Sequence, residues 1–133
     1  MAKLYIVPTP IGNLEDVTYR AVRILQEAHL LIAEDTRTTH HLLNHYQIKN
    51  QVISHHKFNE HKKTETIIEE LLKKDKIAAL VSDAGMPGIS DPGYLLVRKC
   101  LDNNIKIESL PGATAFLPAL INSGLPCDKF VFE

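Results

Sequence analysis

Two adjacent carboxylates and a guanidinium stand together at Glu34-Asp35-Thr36-Arg37. Beside a cleft, such a set can hold or accept a proton and grip a phosphate. The same residues have a purely structural use, with Asp35 capping a helix and Arg37 paired to a carboxylate. A second acid lies in Ser82-Asp83-Ala84-Gly85. A carboxylate there attracts a cationic group, and Gly85 lets backbone approach a ligand, although Asp-Ala-Gly equally suits an ordinary turn. The chain also carries seven histidines: His29, His40, His41, His45, His55, His56 and His61. His41 and His45 have the i, i+4 spacing of a helical metal pair. No Glu follows His41 in the metalloprotease pattern and no cysteine is near, so solvated or substrate-facing histidines, without a metal, are expected. Lys57, Lys62 and Lys63, then Lys73, Lys74 and Lys76, are interleaved with acids and read as solvated helix faces.

These groups need a frame, and the frame is legible as alternation. Short apolar runs occur at Leu4–Val7, Leu30–Ala33, Gln51–Ser54, Ile77–Val81 and Ile105–Leu110. Most are rich in Ile, Leu and Val, as in strands covered on both faces. Between them lie stripes with helical spacing: Val17, Ala21, Ile24, Leu25 and Ala28; Ile67, Ile68, Leu71 and Leu72; Ala113, Phe116, Leu117, Leu120 and Ile121. Strand-helix alternation predicts an α/β fold, a Rossmann-like, mainly parallel sheet with helices on both faces. Ligands bind such sheets outside the carboxyl ends of the strands. The loops there carry Gly, Pro and acidic residues: Pro8-Thr9-Pro10-Ile11-Gly12-Asn13, Glu34–Thr38, the long stretch Ser82–Gly93, and Pro111-Gly112-Ala113-Thr114-Ala115. Asp16 or Thr18 is expected to cap the first helix.

Bulk properties set outer bounds. With 133 residues, one domain is the natural count. A net charge of −1 gives no chain-wide positive field of the kind that announces nucleic acid, without excluding RNA. No apolar run approaches a membrane span, and the N-terminus runs straight into a strand-like segment without the apolar core of a signal peptide. Cys100 and Cys127 are too few for a disulfide scaffold. A reducing, cytoplasmic setting without a membrane is expected. Lys129–Glu133 reads as a strand in which the sequence stops, as in a native terminal strand or in a chain cut between domains.

The strand-end loops resemble the tetrapyrrole methylase superfamily, and most of all its branch that methylates a cytidine ribose of small-subunit ribosomal RNA. The matching stretches are Thr9-Pro10-Ile11-Gly12-Asn13-Leu14, Thr18-Tyr19-Arg20-Ala21, Ala33-Glu34-Asp35-Thr36-Arg37, Ser82-Asp83-Ala84-Gly85, Ser90-Asp91-Pro92-Gly93, Leu110-Pro111-Gly112 and Ser123-Gly124-Leu125. They run in the family's order over almost the whole chain. Other members open with Gly-x-Gly-Pro-Gly-Asp where this chain has Pro8–Asn13. The tetrapyrrole branch carries Gly-Gly-Asp-Pro where this chain has Val81-Ser82-Asp83-Ala84. Both departures point to the RNA branch.

The resemblance implies a methyltransferase whose cofactor, S-adenosylmethionine, is held between two domains. Residues 1–125 would be the N-terminal domain of the tetrapyrrole methylase fold, and 126–133 the start of the connection to a missing C-terminal domain. It implies that Pro10, Ile11, Ser82, Asp83, Ala84, Met86, Thr114 and Ala115 line the cofactor pocket. Glu34 matches a proton acceptor in tetrapyrrole relatives. A ribose hydroxyl is a poor nucleophile until its proton is removed or held, so Glu34 or Asp35 is expected as base or orienter, and Arg37 as an RNA phosphate contact. The implied partners are small-subunit ribosomal RNA, or the assembled subunit, and the second domain. An isolated half would expose apolar surface, which leaves room for a homodimer. Two other readings stand beside this one: C-methylation of a porphyrin or corrin, and a module that binds a nucleotide or RNA and transfers nothing.

Overall fold

The computed structural model describes residues 1–56, 59–89 and 93–133. Lys57 and the stretch Ser90-Asp91-Pro92, singled out above, lie outside the described residues. Five apolar runs form the strands β1 (Lys3–Ile6), β2 (Leu30–Ala33), β3 (Val52–Ser54), β4 (Ile77–Leu80) and β5 (Lys106–Ser109). They make one sheet in the order β3-β2-β4-β1-β5. Every pairing is parallel, with Leu4 opposite Ala78 on one side and Ile107 on the other. The helices are α1 (Tyr19–Glu27), α2 (Thr36–His45), α3 (Glu60–Lys74), α4 (Tyr94–Asp102) and α5 (Phe116–Asn122).

The period-two pleat sorts each strand's side chains between two cores. Val7, Leu31, Ala33, Ala79 and Val81 meet Ala21, Ile24 and Leu25 of α1 and Leu42 and Leu43 of α2. Leu4, Ile6, Ile32 and Leu80 meet Ile67, Ile68 and Leu71 of α3 and Leu96 and Cys100 of α4. Thus α1 and α2 cover one face, and α3 and α4 the other. Burial pushes the Cys100 thiol up to about 12, so it is a packed apolar group. Caps set the helix starts. The Thr18 hydroxyl accepts from the Ala21 N–H at 2.9 Å, so Thr18 and not Asp16 caps α1. Val17 precedes that helix and packs against its core from outside. Lys73 and Lys74 occupy the last turn of α3, as their charge favours.

Three expectations are corrected. The stripe through Phe116, Leu117 and Ile121 forms α5, but no residue of that helix is buried. Ala113 lies before it. Helical spacing reported an apolar face here, and that face stays largely exposed, with Phe116, Leu117 and Ile121 all open to solvent. Lys129–Glu133 is not a strand: a strand needs a neighbour's backbone, and this segment pairs with none of the five. Phe130 and Phe132 instead turn back onto the Phe116 ring, with centroids 6.1 and 5.0 Å away. His55 is neither solvated nor at a site. It is buried beneath α3, its Nε2 is 2.9 Å from the Thr64 hydroxyl, and burial holds its pKa down.

Candidate functional site

In this sheet β1 and β4 are neighbours, yet the chain leaves β1 for α1 on one face and β4 for α4 on the other. That divergence opens a crevice at the carboxyl ends of the two strands. The loops bordering it are bonded to each other. The Thr9 N–H donates to the Gly85 carbonyl at 3.1 Å, and the Gly85 N–H returns a bond to Thr9 at 2.9 Å. The Thr9 hydroxyl donates to the Ser82 carbonyl. The Ser82 hydroxyl is turned inward, 3.0 Å from both the Ala84 and Gly85 carbonyls. Gly85 therefore does not offer its backbone to a ligand, as the sequence suggested. Its φ of +75° shapes the turn that presents Asp83 and Ala84.

Two clefts flank the segment that follows β1. The first, of 620 Å³, is walled by Pro10, Asn13, Leu14 and Glu15 on one side and by Thr38, Thr39, His41, Leu42 and His45 of α2 on the other; Ser82, Asp83 and Ala84 also line it. The second, of 770 Å³, is lined by Ile11, Glu15, Thr18, Gly112, Ala113, Thr114, Ala115 and Leu117. The expected cofactor residues thus divide: Pro10, Ser82, Asp83 and Ala84 to the first cleft, Ile11, Thr114 and Ala115 to the second. Ile11 is also the side chain that lies against Gly85. Met86 lines neither and packs partly buried on the core under α3 and α4. Close approach unites the loops on the β5 side, where a Cβ on Gly112 would stand 2.4 Å from Pro8 Cγ.

The loop after β2 joins the same edge. The Asp35 N–H donates to Asp83 Oδ1 at 3.2 Å. The Asp35 carboxylate caps α2 through the Arg37 N–H at 2.9 Å and takes two bonds from the Arg37 guanidinium, from Nε at 3.2 Å and Nη2 at 3.0 Å. The Arg37 side-chain bond, more than any other cause, holds the Asp35 pKa below the usual carboxylate range; the same pair raises that of Arg37. Arg37 is otherwise displayed to solvent. Glu34 is half-buried one residue from this pair.

Sequence reasoning did not name Asn13, Glu15, Thr38 or Thr39 as cleft residues, and left His41 and His45 between solvent and substrate. Their signal was weak: one turn of α2 and a one-turn 3₁₀ helix at Leu14–Asp16 face each other only in three dimensions. Thr39 is distinctive because its hydroxyl is buried with no hydrogen-bond partner. Among the described residues, no group of three or more His, Cys, Asp or Glu is placed to hold a metal ion. No described helix is long and apolar enough to cross a membrane.

The family model for tetrapyrrole (corrin/porphyrin) methylases matches residues 3–132. The chain is 54% identical over 133 residues to the ribosomal RNA small subunit methyltransferase I of Synechocystis sp., covering 100% of this chain and 47% of that protein. Against the protein of the same name from Buchnera aphidicola subsp. Schizaphis graminum it is 55% identical over 130 residues, covering 98% and 45%. Against that of Thermotoga maritima it is 51% identical, covering 100% and 60%. The chain therefore spans about half the length of the curated relatives it matches. Among solved structures, uroporphyrin-III-C-methyltransferase from Thermus thermophilus superposes with a TM-score of 0.67 at 23% identity, over 95% of this chain and 53% of that one. The S-adenosyl homocysteine complex of a Thermus thermophilus uroporphyrin-III C-methyl transferase gives 0.63 at 23% identity, over 93% and 49%. At that identity the likeness is one of fold.

Proposed function

The chain belongs to the tetrapyrrole methylase family, and on that premise we propose that it is the cofactor-side portion of an S-adenosylmethionine-dependent methyltransferase acting on a ribose hydroxyl of small-subunit ribosomal RNA. The observation that carries this reading is the switch-point crevice, where the loops after β1, β2 and β4 are bonded together around Asp83. The names of the relatives at about half identity favour RNA over a porphyrin or corrin as acceptor. An RNA substrate of this kind would set the protein in the cytoplasm.

The donor set suits a sulfonium cofactor. The cleft beside Asp83 has two carboxylates, Glu15 and Asp83, and no lysine or arginine in its lining, so it favours a cationic or neutral ligand. Pro10, Ile11, Ser82, Asp83, Ala84, Thr114 and Ala115 are the residues we assign to hold it, with Met86 contributing from the core rather than from a cleft wall. When bound, S-adenosylmethionine supplies an activated methyl group. The chain's own part is to orient the acceptor and manage its proton. Glu34, which matches a proton acceptor in tetrapyrrole relatives, is the residue we assign to that proton, and Asp35 caps α2 and pairs with Arg37. Arg37 keeps further N–H donors for an RNA phosphate while it holds Asp35. Residues 1–125 act as the domain proper and 126–133 as the start of a connection to a second domain, which would complete the pocket and cover α5.

A label-transfer assay tests the reading. Methyl label should pass to unmethylated small ribosomal subunits or their RNA, and not to porphyrinoid precursors. In the complete protein, Glu34→Gln is expected to lower kcat about 100-fold while leaving cofactor affinity unchanged. Transfer to porphyrinoids alone would replace this reading with the tetrapyrrole one. Cofactor or RNA binding without any transfer would favour the non-catalytic module.

A further inference from the structure

We propose that His41 and His45 form the RNA-facing wall of the first cleft, stacking on a base of the acceptor strand. The inference rests on the RNA reading above and adds the residues that would receive the strand. One helical turn apart on α2, the two imidazoles share a face, and both line the cleft opposite Asn13 and Glu15. The wall is braced. The His45 ring meets the Tyr46 ring edge-on at 4.7 Å, and the Tyr46 hydroxyl donates to the Leu14 carbonyl, tying the end of α2 to the facing wall.

Two features define the ligand chemistry. No lysine or arginine lines the cleft and two carboxylates do, so a phosphate is disfavoured inside it and a flat, neutral group is favoured. Imidazole faces stack on nucleobases in single-stranded RNA, which is how proteins read splayed-out bases. The 620 Å³ cleft also carries Pro10, Ser82, Asp83 and Ala84, assigned above to the cofactor, so the base would share it from the α2 side. Arg37 is exposed one residue before Thr38, on the first turn of the same helix, so a phosphate would be met outside the cleft rather than within it.

The test uses the complete protein, with in vitro transcribed small-subunit ribosomal RNA as the probe. RNA affinity is read by filter binding and cofactor affinity by calorimetry. The double variant H41A/H45A is expected to weaken RNA binding about tenfold, with cofactor affinity held within about twofold. H40A, on the same helix but outside the cleft, should bind as the parent does. The aromatic variant H41F/H45F preserves a stacking face and should keep RNA affinity within about threefold. Unchanged RNA affinity in H41A/H45A, a parallel loss of cofactor affinity, a tenfold loss in H41F/H45F, or no RNA binding by the parent would each overturn the proposal. A parent that binds RNA through these histidines but transfers no methyl group would sink the proposed activity and leave this contact standing.

Discussion

Gly85 shows how one residue's backbone holds a site together. At its φ of +75°, a Cβ would stand 3.1 Å from Ile11 Cδ1, so any side chain there meets both an unfavourable conformation and a neighbour. Gly85→Ala is expected to destabilise the chain by about 1–3 kcal/mol in urea unfolding and to weaken cofactor binding, because the turn carrying Asp83 shifts with it. His55 acts on stability rather than on the site. Burial lowers its pKa in the folded state, so below its unfolded value of about 6.5 the unfolded chain binds the extra proton. The stabilisation is present above that pH and is lost as pH falls through and below it. Melting temperature should therefore fall between about pH 7 and pH 5.5, and His55→Gln should flatten that part of the profile. The seven histidines look alike in the sequence; which of them is buried is decided by α3 closing over β3.

At the scale of the element, strands were easy to read and two of the helices were not. Strands buried on both faces leave unbroken runs such as Leu30–Ala33, and all five runs contain or overlap the observed strands. By contrast α2, with Leu42 and Leu43 as its only large apolar residues, has too narrow a stripe to declare itself. Its cap, Asp35, was recognised as the structural alternative to catalysis, and the structure places it there. The third stripe was correctly helical, but periodicity does not say what lies opposite. Two substitutions separate these cases. Leu71→Ala, at a fully buried position of α3, should cost about 2–5 kcal/mol of unfolding free energy. Ile121→Glu, on exposed α5, should move stability by no more than about 0.5 kcal/mol. It should also reduce concentration-dependent self-association of the 133-residue chain in sedimentation, because α5 and Phe130 to Phe132 together expose apolar surface.

For the whole molecule, the decisive fact is how much of the relatives the chain spans. The clefts open along one sheet edge beside exposed α5, and on the proposed reading a second domain would complete the cofactor pocket there. S-adenosyl homocysteine is accordingly expected to bind the 133-residue chain at least about tenfold more weakly than it binds the longer Thermotoga maritima relative, by calorimetry under matched conditions. Equal affinity would mean that these clefts form a self-sufficient pocket.

Composition, periodicity and the strand-end residues were enough to determine an α/β sheet and to single out the edge proposed for its chemistry. Each of those properties is local: a run of Ile and Val, a helical stripe, or a Gly and Pro after a strand can be read within a few residues. The Ser82-Asp83-Ala84-Gly85 loop was legible as a candidate in the same way. Only the tertiary structure decided that β4 lies beside β1, that Thr9 and Gly85 bond across the crevice between them, and that α2 brings His41 and His45 opposite Glu15. Strand order and the face each helix takes depend on contacts between residues far apart in the chain, and no local pattern of residue types carries that information.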